Sequence, residues 1–536
     1  MKKSIIIKWV VPAVFAVMAA GCTKGFEQLN VDPSKPTESS MDATINGITA
    51  KLQDNQAEFT FLYNELYYPL SELNAQSRKL GVDPISRTND ALWTSYYSMM
   101  KNVRDLEDRF SKYTGDKESL DNLKAAVKTT VAYVTYRMVD RFGDIPFSQS
   151  GYSFIPDKQI LQPVYDKQTD IYRSLLDDLK WSSEHFVTDN RKTPSGNSYL
   201  NINGTADAYF SGVTTTWQAF ANSLRLRYAV RIADKDAQKA AEVIADVVGK
   251  NLPLLDGATN DRKDAITDYL KLDKTGIDLT QNYNAAGSSG NRLGTTMWQY
   301  LSTNDNVDGS GIIDPRTYVW YMKNKDDKWL AFPQQAPETA LTDVDAVYDK
   351  SNRSKVISTY SPVNLNMLNE GNYVPRPVFT ISEVNFLLAE IYLRGIGVAK
   401  DAAKAETYYY KGIRSSITYW YDCVDKSGSW SSRPTRPSDA AVATFLANPK
   451  IAFAGDDVAK LKLLYAQEWL SFIWQPDQGF FLMRRTTQTP HLGAADNSFY
   501  RLRYPPSEIT YNQANYNEAV GRMGGDETNK KIFWMK

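Results

Sequence analysis

Asp140 and Asp144 bracket the segment Arg141-Phe142-Gly143. Two such carboxylates can run acid/base chemistry, one giving a proton while the other takes one. The same residue types also serve a turn after a helix, as acceptors for its amides and partners for arginine, and this is the role read here. Arg225, Arg227 and Arg231 share a stretch with Asp234. They could form an anion site, but ion pairing along a helix surface is the preferred reading. Asn222 in the same stretch suits a buried polar bridge. Asn304-x-Asn306-x-Asp308-Gly309 begins like a calcium loop. Its first position is not Asp, and Pro315 stands where the bidentate Glu belongs, so an EF-hand is excluded and a polar turn is read instead.

The histidines, His185 and His491, are far apart, and no HExxH or CxxC motif accompanies them. Gly287-Ser288-Ser289-Gly290 lacks the spacing of a nucleophile elbow, and there is no Walker A loop. No metal or cofactor is therefore expected. Two placed carboxylates suffice for a glycosidase, so that activity stays open, but no motif points to an enzyme.

A different chemistry is better supplied. The chain holds 33 Tyr, 21 Phe and 12 Trp, enough to pack helices and also to present flat rings to a ligand. Tyr67 and Tyr68 precede Asn74, Gln76 and Arg78; later come Tyr283, Asn291, Arg292, Trp298, Tyr300 and Trp329. Sugar rings have apolar C–H faces that stack on aromatics, while amides and arginine bond the hydroxyls. Tyr67, Tyr68, Asn74, Tyr283, Asn291, Arg292, Trp298 and Trp329 are the candidate ligand-binding set. For any one of these aromatics core packing is the competing role.

Lys plus Arg (62) balances Asp plus Glu (62), and no basic block is interleaved with aromatics, which argues against nucleic-acid binding. Helices must position the rest. Val127, Val131, Val134, Met138 and Phe142 recur at helical spacing and stop at Gly143, where a left-handed C-cap fits before Pro146. Further helices are expected from Met41, from Asn89-Asp90, over Asp170–Leu179 and over Trp217–Ile232, and again over 381–393, 402–421 and 458–474. Ala405, Tyr409 and Gly412 against Leu388, Ala389 and Tyr392 suggest a close antiparallel pair of tetratricopeptide type. Residues 250–375, rich in turn residues and proline, read as long loops, where binding sites tend to lie.

Lys2, Lys3 and Lys8, the apolar run Val10–Ala20 and the small residues Ala19-Ala20-Gly21 make a signal peptide over 1–21. The run is too short to span a bilayer. Ala19-Ala20-Gly21-Cys22 resembles the bacterial lipoprotein lipobox, which makes Cys22 the lipidation site. Residues 22–40 read as a flexible tether and 41–536 as the folded body. With Cys22 acylated, Cys423 has no partner for a disulfide within the mature chain.

Several stretches in order resemble the SusD/RagB family of Bacteroidetes surface lipoproteins. They are Phe26–Thr37, Asp140–Ser148, Pro163–Tyr172, Trp217–Ala233, Asp314-Pro315-Arg316, Ile381–Glu390, Arg484-Arg485-Thr486, Arg503–Glu508 and Gly524-Gly525-Asp526. The resemblance implies a mainly α, SusD-like fold with divergent tetratricopeptide-like helix pairs and a loop-rich face for ligand and partner. It further implies a lipid-anchored outer-membrane protein facing the cell exterior. Such a protein captures oligosaccharide and delivers it to a SusC-like TonB-dependent transporter, without catalysis. Peptide cargo in the same role is the alternative, and a surface glycosidase the more distant one.

Overall fold

The computed structural model describes residues 40–53, 58–76, 83–155, 157–189, 191, 194, 207, 209–255, 265–268, 290–334, 347–349, 351–368, 375–428, 430, 432–492 and 498–536. Cys22, the tether before residue 40, Arg78 and Tyr283 lie outside them. The described part is mainly helical, and among the described residues no helix is long and apolar enough to cross a membrane.

Helix α1 (Met41–Thr49) and a 3-10 turn precede a π-helix (Glu58–Tyr67) that runs directly into α2 (Tyr68–Ser71). The long α3 (Asp83–Ser111) starts earlier than Asn89, whose side-chain amide instead donates to the Arg503 carbonyl at 2.8 Å. Helix α4 (Lys117–Phe142) is capped by Asp116, which accepts the Ser119 amide at 2.8 Å. It ends at Gly143 as the spacing predicts, with φ +86°. The accompanying ψ of −126° lies outside the left-handed helical well, so the cap is a different positive-φ turn.

Helices α5 (Gln168–His185), α6 (Thr214–Ile232) and α7 (Ala237–Gly249) then follow, each packing on its predecessor. Two small antiparallel pairs interrupt the helices: β1 (Ala265–Asp268) with β4 (Pro375–Phe379), and β2 (Tyr348–Asp349) with β3 (Asn352–Val356). Between them, among the described residues, lie only the short α8 (Thr295–Leu301) and α9 (Thr317–Trp320), a 3-10 turn and loops. The chain ends in α10 (Ile381–Arg394), α11 (Ala402–Lys426), α12 (Asp439–Leu446), α13 (Asp457–Ser471), α14 (Pro476–Thr486), α15 (Pro506–Tyr511) and α16 (Gln513–Met523). The expected α10–α11 pair is present: Gly412 leaves so little room that a Cβ there would lie 2.7 Å from the Phe386 ring.

Helix α6 is buried on every side, which normally requires an apolar helix. This one carries three arginines, and each finds a carboxylate on a neighbouring helix, Asp246 being half-buried and shared with Lys250. Arg225 pairs with Asp246, Arg227 with Glu383 and Arg231 with Asp140. The expected surface ion pairs are thus interior links between helices, because a buried guanidinium needs a countercharge. Asn222 is the polar bridge foreseen, accepting from Arg225 at 3.1 Å and donating to the Pro253 carbonyl at 3.1 Å.

Asp140 is fully buried and gathers Arg231, the Tyr172 hydroxyl and the Trp534 indole N–H, the last at 2.8 Å. Burial pushes its pKa up against the opposing pull of Arg231. Asp144 accepts the Gln168 amide at 3.0 Å and pairs with Arg522 at 2.9 Å. Both carboxylates hold structure, as read from the sequence.

Candidate ligand-binding site

Helix α9 is too short to stand alone and is held by what surrounds it. Asp314 and Arg316, both fully buried, pair at 2.6 Å. The Arg316 guanidinium also donates to Ser416 Oγ on α11 at 3.0 Å and to Gln467 Oε1 on α13 at 2.9 Å. Trp320 packs edge-on against Trp420 with centroids 5.8 Å apart. The Tyr321 hydroxyl donates to Asn74 Oδ1 at 2.7 Å, and burial raises its pKa well above the usual phenol value. With residues 316, 320 and 321 drawn inward, the intervening Tyr318 is turned out and stays 44% exposed.

Beneath Tyr318 two tryptophans are stacked. Trp298 on α8 and Trp329 have centroids 6.4 Å apart and planes 18° from parallel. Tyr318 meets Trp329 edge-on at 5.9 Å, a favourable quadrupolar arrangement. The Trp329 amide donates to the Val307 carbonyl at 2.8 Å, and Gly309 approaches the indole so closely that a Cβ would lie 2.7 Å from Cδ1. Val307 and Leu330, 38% and 37% exposed, flank the site. The exposed Asn306 and Asp308 lie on the same loop. Asn304 accepts the Asn306 amide, and Asp308 the Ser310 amide, which holds the Asp308 carboxylate below its ordinary range. The loop is therefore a self-bonded polar turn.

The residues singled out in the sequence fall into three groups. Trp298 and Trp329 come together as described, 5% and 6% exposed. Asn291 and Arg292 also meet the segment that carries Asn74, but inside. Arg292 and Ala75 exchange backbone bonds at 2.9 Å, and Asn291 links Gln76 at 2.7 Å to Asn64 at 2.9 Å. The Arg292 guanidinium donates to the Gly290 carbonyl at 2.5 Å and stands over Phe332. Tyr67 packs on Phe480 and Phe481, and the Tyr68 hydroxyl donates to the Ile473 carbonyl at 2.8 Å. All these side chains are buried, because the segments carrying them form the floor on which the loops rest. Tyr318, the exposed ring, was not singled out. Its spacing from Arg316 and Trp320 was the available signal.

Over residues 31–505 the chain matches the SusD-like family model described as starch-binding associating with outer membrane. No curated protein is similar enough to match. Among solved structures, a chitin-binding protein is 21% identical, with a TM-score of 0.69 over 92% of this chain and 99% of its own. A SusD homolog from Bacteroides fragilis is 19% identical, with a TM-score of 0.68 over 92% of this chain and 99% of its own. Another from Parabacteroides distasonis is 18% identical, with a TM-score of 0.65 over 93% and 98%. With a family match over most of its length and the same helical frame throughout, this chain belongs to the SusD-like family.

Proposed function

We propose that this protein binds glycan at the cell surface and passes it, chemically unaltered, to a SusC-like TonB-dependent transporter of the outer membrane. The observation that carries this reading is one exposed ring, Tyr318, on a rigid aromatic base. A sugar stacks its apolar face on such a ring, and Val307 and Leu330 extend the apolar contact. Asn306 and Asp308 offer bonds to hydroxyls. In this reading Trp298 and Trp329 stiffen the platform, while Tyr67, Tyr68, Asn74, Asn291 and Arg292 hold its floor. Tyr283 remains a candidate contact.

The family's description as starch-binding and outer-membrane-associated supports the glycan class and the location. The printed name of a chitin-binding relative supports the glycan class as well. Attachment through an acylated Cys22, after loss of residues 1–21 and with 22–40 as tether, belongs to the same proposal. Peptide cargo in the same role is the second reading.

Calorimetric titration with starch-derived, chitin-derived and peptide panels tests it. Saturable binding of one glycan class, lost on Tyr318→Ala, is expected. Binding of peptides alone would move the assignment to the second reading, and unchanged glycan binding by the variant would place the site elsewhere.

A further inference from the structure

A cavity of about 380 Å³ opens between α3, α4, α5 and the turn after α4, built from none of the residues around Tyr318. Its size is within the range of small-molecule sites. Met100, Val103, Val127 and Val131 form an apolar floor, and Phe110, Phe147 and Trp181 supply aromatic walls.

The walls are fixed in advance. Arg104 donates to the carbonyls of Phe147 and Ser150, each at 3.0 Å, while also engaging Glu107. Asp166 accepts the amides of Phe147 and Ser148, both at 2.9 Å. Gly151, at φ +80°, brings the turn so near α3 that a Cβ would lie 2.6 Å from the Met100 carbonyl oxygen. Trp181 is stacked on His185 at 4.0 Å and has the Lys128 ammonium over its ring at 5.6 Å. A site already in its bound shape loses little entropy on binding.

The charges at the rim do not cancel. Arg104 is paired with Glu107 and Lys128 with Asp178. Lys124, one helical turn before Lys128, has no carboxylate partner among the described residues and lies 6.0 Å from the Phe110 ring centroid. One uncommitted cation above an apolar, aromatic chamber selects a particular chemistry. The floor itself, Met100, Val103, Val127 and Val131, offers no side-chain polar group for a sugar's hydroxyls and suits an apolar body. A dianion would exceed the free charge.

We propose that this cavity is a second binding site, taking a small aromatic or aliphatic monocarboxylate with its apolar body against Phe110, Phe147 and Trp181. Its carboxylate accepts a charge-assisted bond from Lys124.

The test is calorimetric titration of the full chain with trans-cinnamate and, in parallel, with the neutral cinnamyl alcohol. Saturable one-to-one binding of the acid is expected, about tenfold tighter than the alcohol. Lys124→Gln, at a partly exposed position, should bring the acid down to the alcohol's affinity. Val131→Phe, which fills the floor, should remove both. Equal affinity for acid and alcohol, an unaffected Lys124→Gln variant, or no saturable binding of the acid each overturns the proposal. If circular dichroism shows Val131→Phe unfolded, the Lys124→Gln comparison decides. Glycan binding through Tyr318 should be unchanged in Lys124→Gln.

Discussion

Arg227 on α6 and Glu383 on α10 meet side by side through two bonds of 2.5 Å, with both side chains 2% exposed. The guanidinium stands over the Phe379 ring, 4.1 Å from its centroid. Removing one member of such a pair strands the other charge in the interior. Glu383→Leu is therefore expected to lower unfolding free energy by about 3–5 kcal/mol. Arg227→Met combined with Glu383→Leu should recover most of that loss, since an apolar pair leaves no charge behind. Chemical denaturation of the three variants checks this. A double variant no better than the single would show that the loss does not come from a stranded charge.

Glu468 on α13 is buried, and its Oε2 has no hydrogen-bond partner among the described residues. Burial raises its pKa to about 8, with Arg485 opposing and Glu390 reinforcing the shift. The folded chain therefore keeps a proton that the unfolded chain releases near pH 4.5. Between those values the folded state binds more protons, so this group's contribution to stability is full at low pH and is lost as pH rises towards about 8. Glu468→Gln should flatten that decline. Melting temperatures of both proteins from pH 5 to 8.5 would read it, and parallel curves would contradict it.

Tyr318 and Trp329 should separate under substitution. Tyr318→Ala removes an exposed ring and is expected to leave the melting temperature nearly unchanged, with glycan affinity falling by about tenfold or more. Trp329→Ala opens a void under the platform and should cost about 3–5 kcal/mol of stability. If Tyr318→Ala were the one to unfold the protein, the outward placement of this ring would be wrong.

Gly412→Val should test the closeness of α10 and α11. Its Cβ would lie 2.7 Å from a Phe386 ring that is itself fully buried, so the helices must part or the ring must leave its rotamer. Either outcome costs about 1–3 kcal/mol, partly offset by losing a helical glycine. The expected result is a lower denaturation midpoint with unaltered helix content.

The sequence was most legible where one local rule decided the outcome. Gly143 ends α4 where the apolar spacing stops, with Pro146 barring resumption, and Ala405, Tyr409 and Gly412 against Leu388, Ala389 and Tyr392 announce the close helix pair. It was least legible where the deciding partner was distant in the chain. Nothing near Arg227 indicates that Glu383 would bury it, so the arginines of α6 read as surface residues. The start of α3 was placed at Asn89, a good capping residue, although its amide is taken by Arg503. The same limit affected the aromatic set. Turn residues and proline mark the loop-rich region that holds Trp298 and Trp329, but not which rings it turns outward, because Arg316 is fixed by Ser416 and Gln467 from other helices.

Trp534 is fully buried and bonds Asp140 in the last turn of α4, and two residues later the Lys536 amide donates to the Arg484 carbonyl. The interior thus receives one of its largest side chains from a segment 394 residues further along the chain. Without Trp534, Asp140 would keep Arg231 and Tyr172 but lose its indole donor, and Phe481 would lose one of its edge-on neighbours. A core closed in this way is finished only when two segments far apart in the chain are present together.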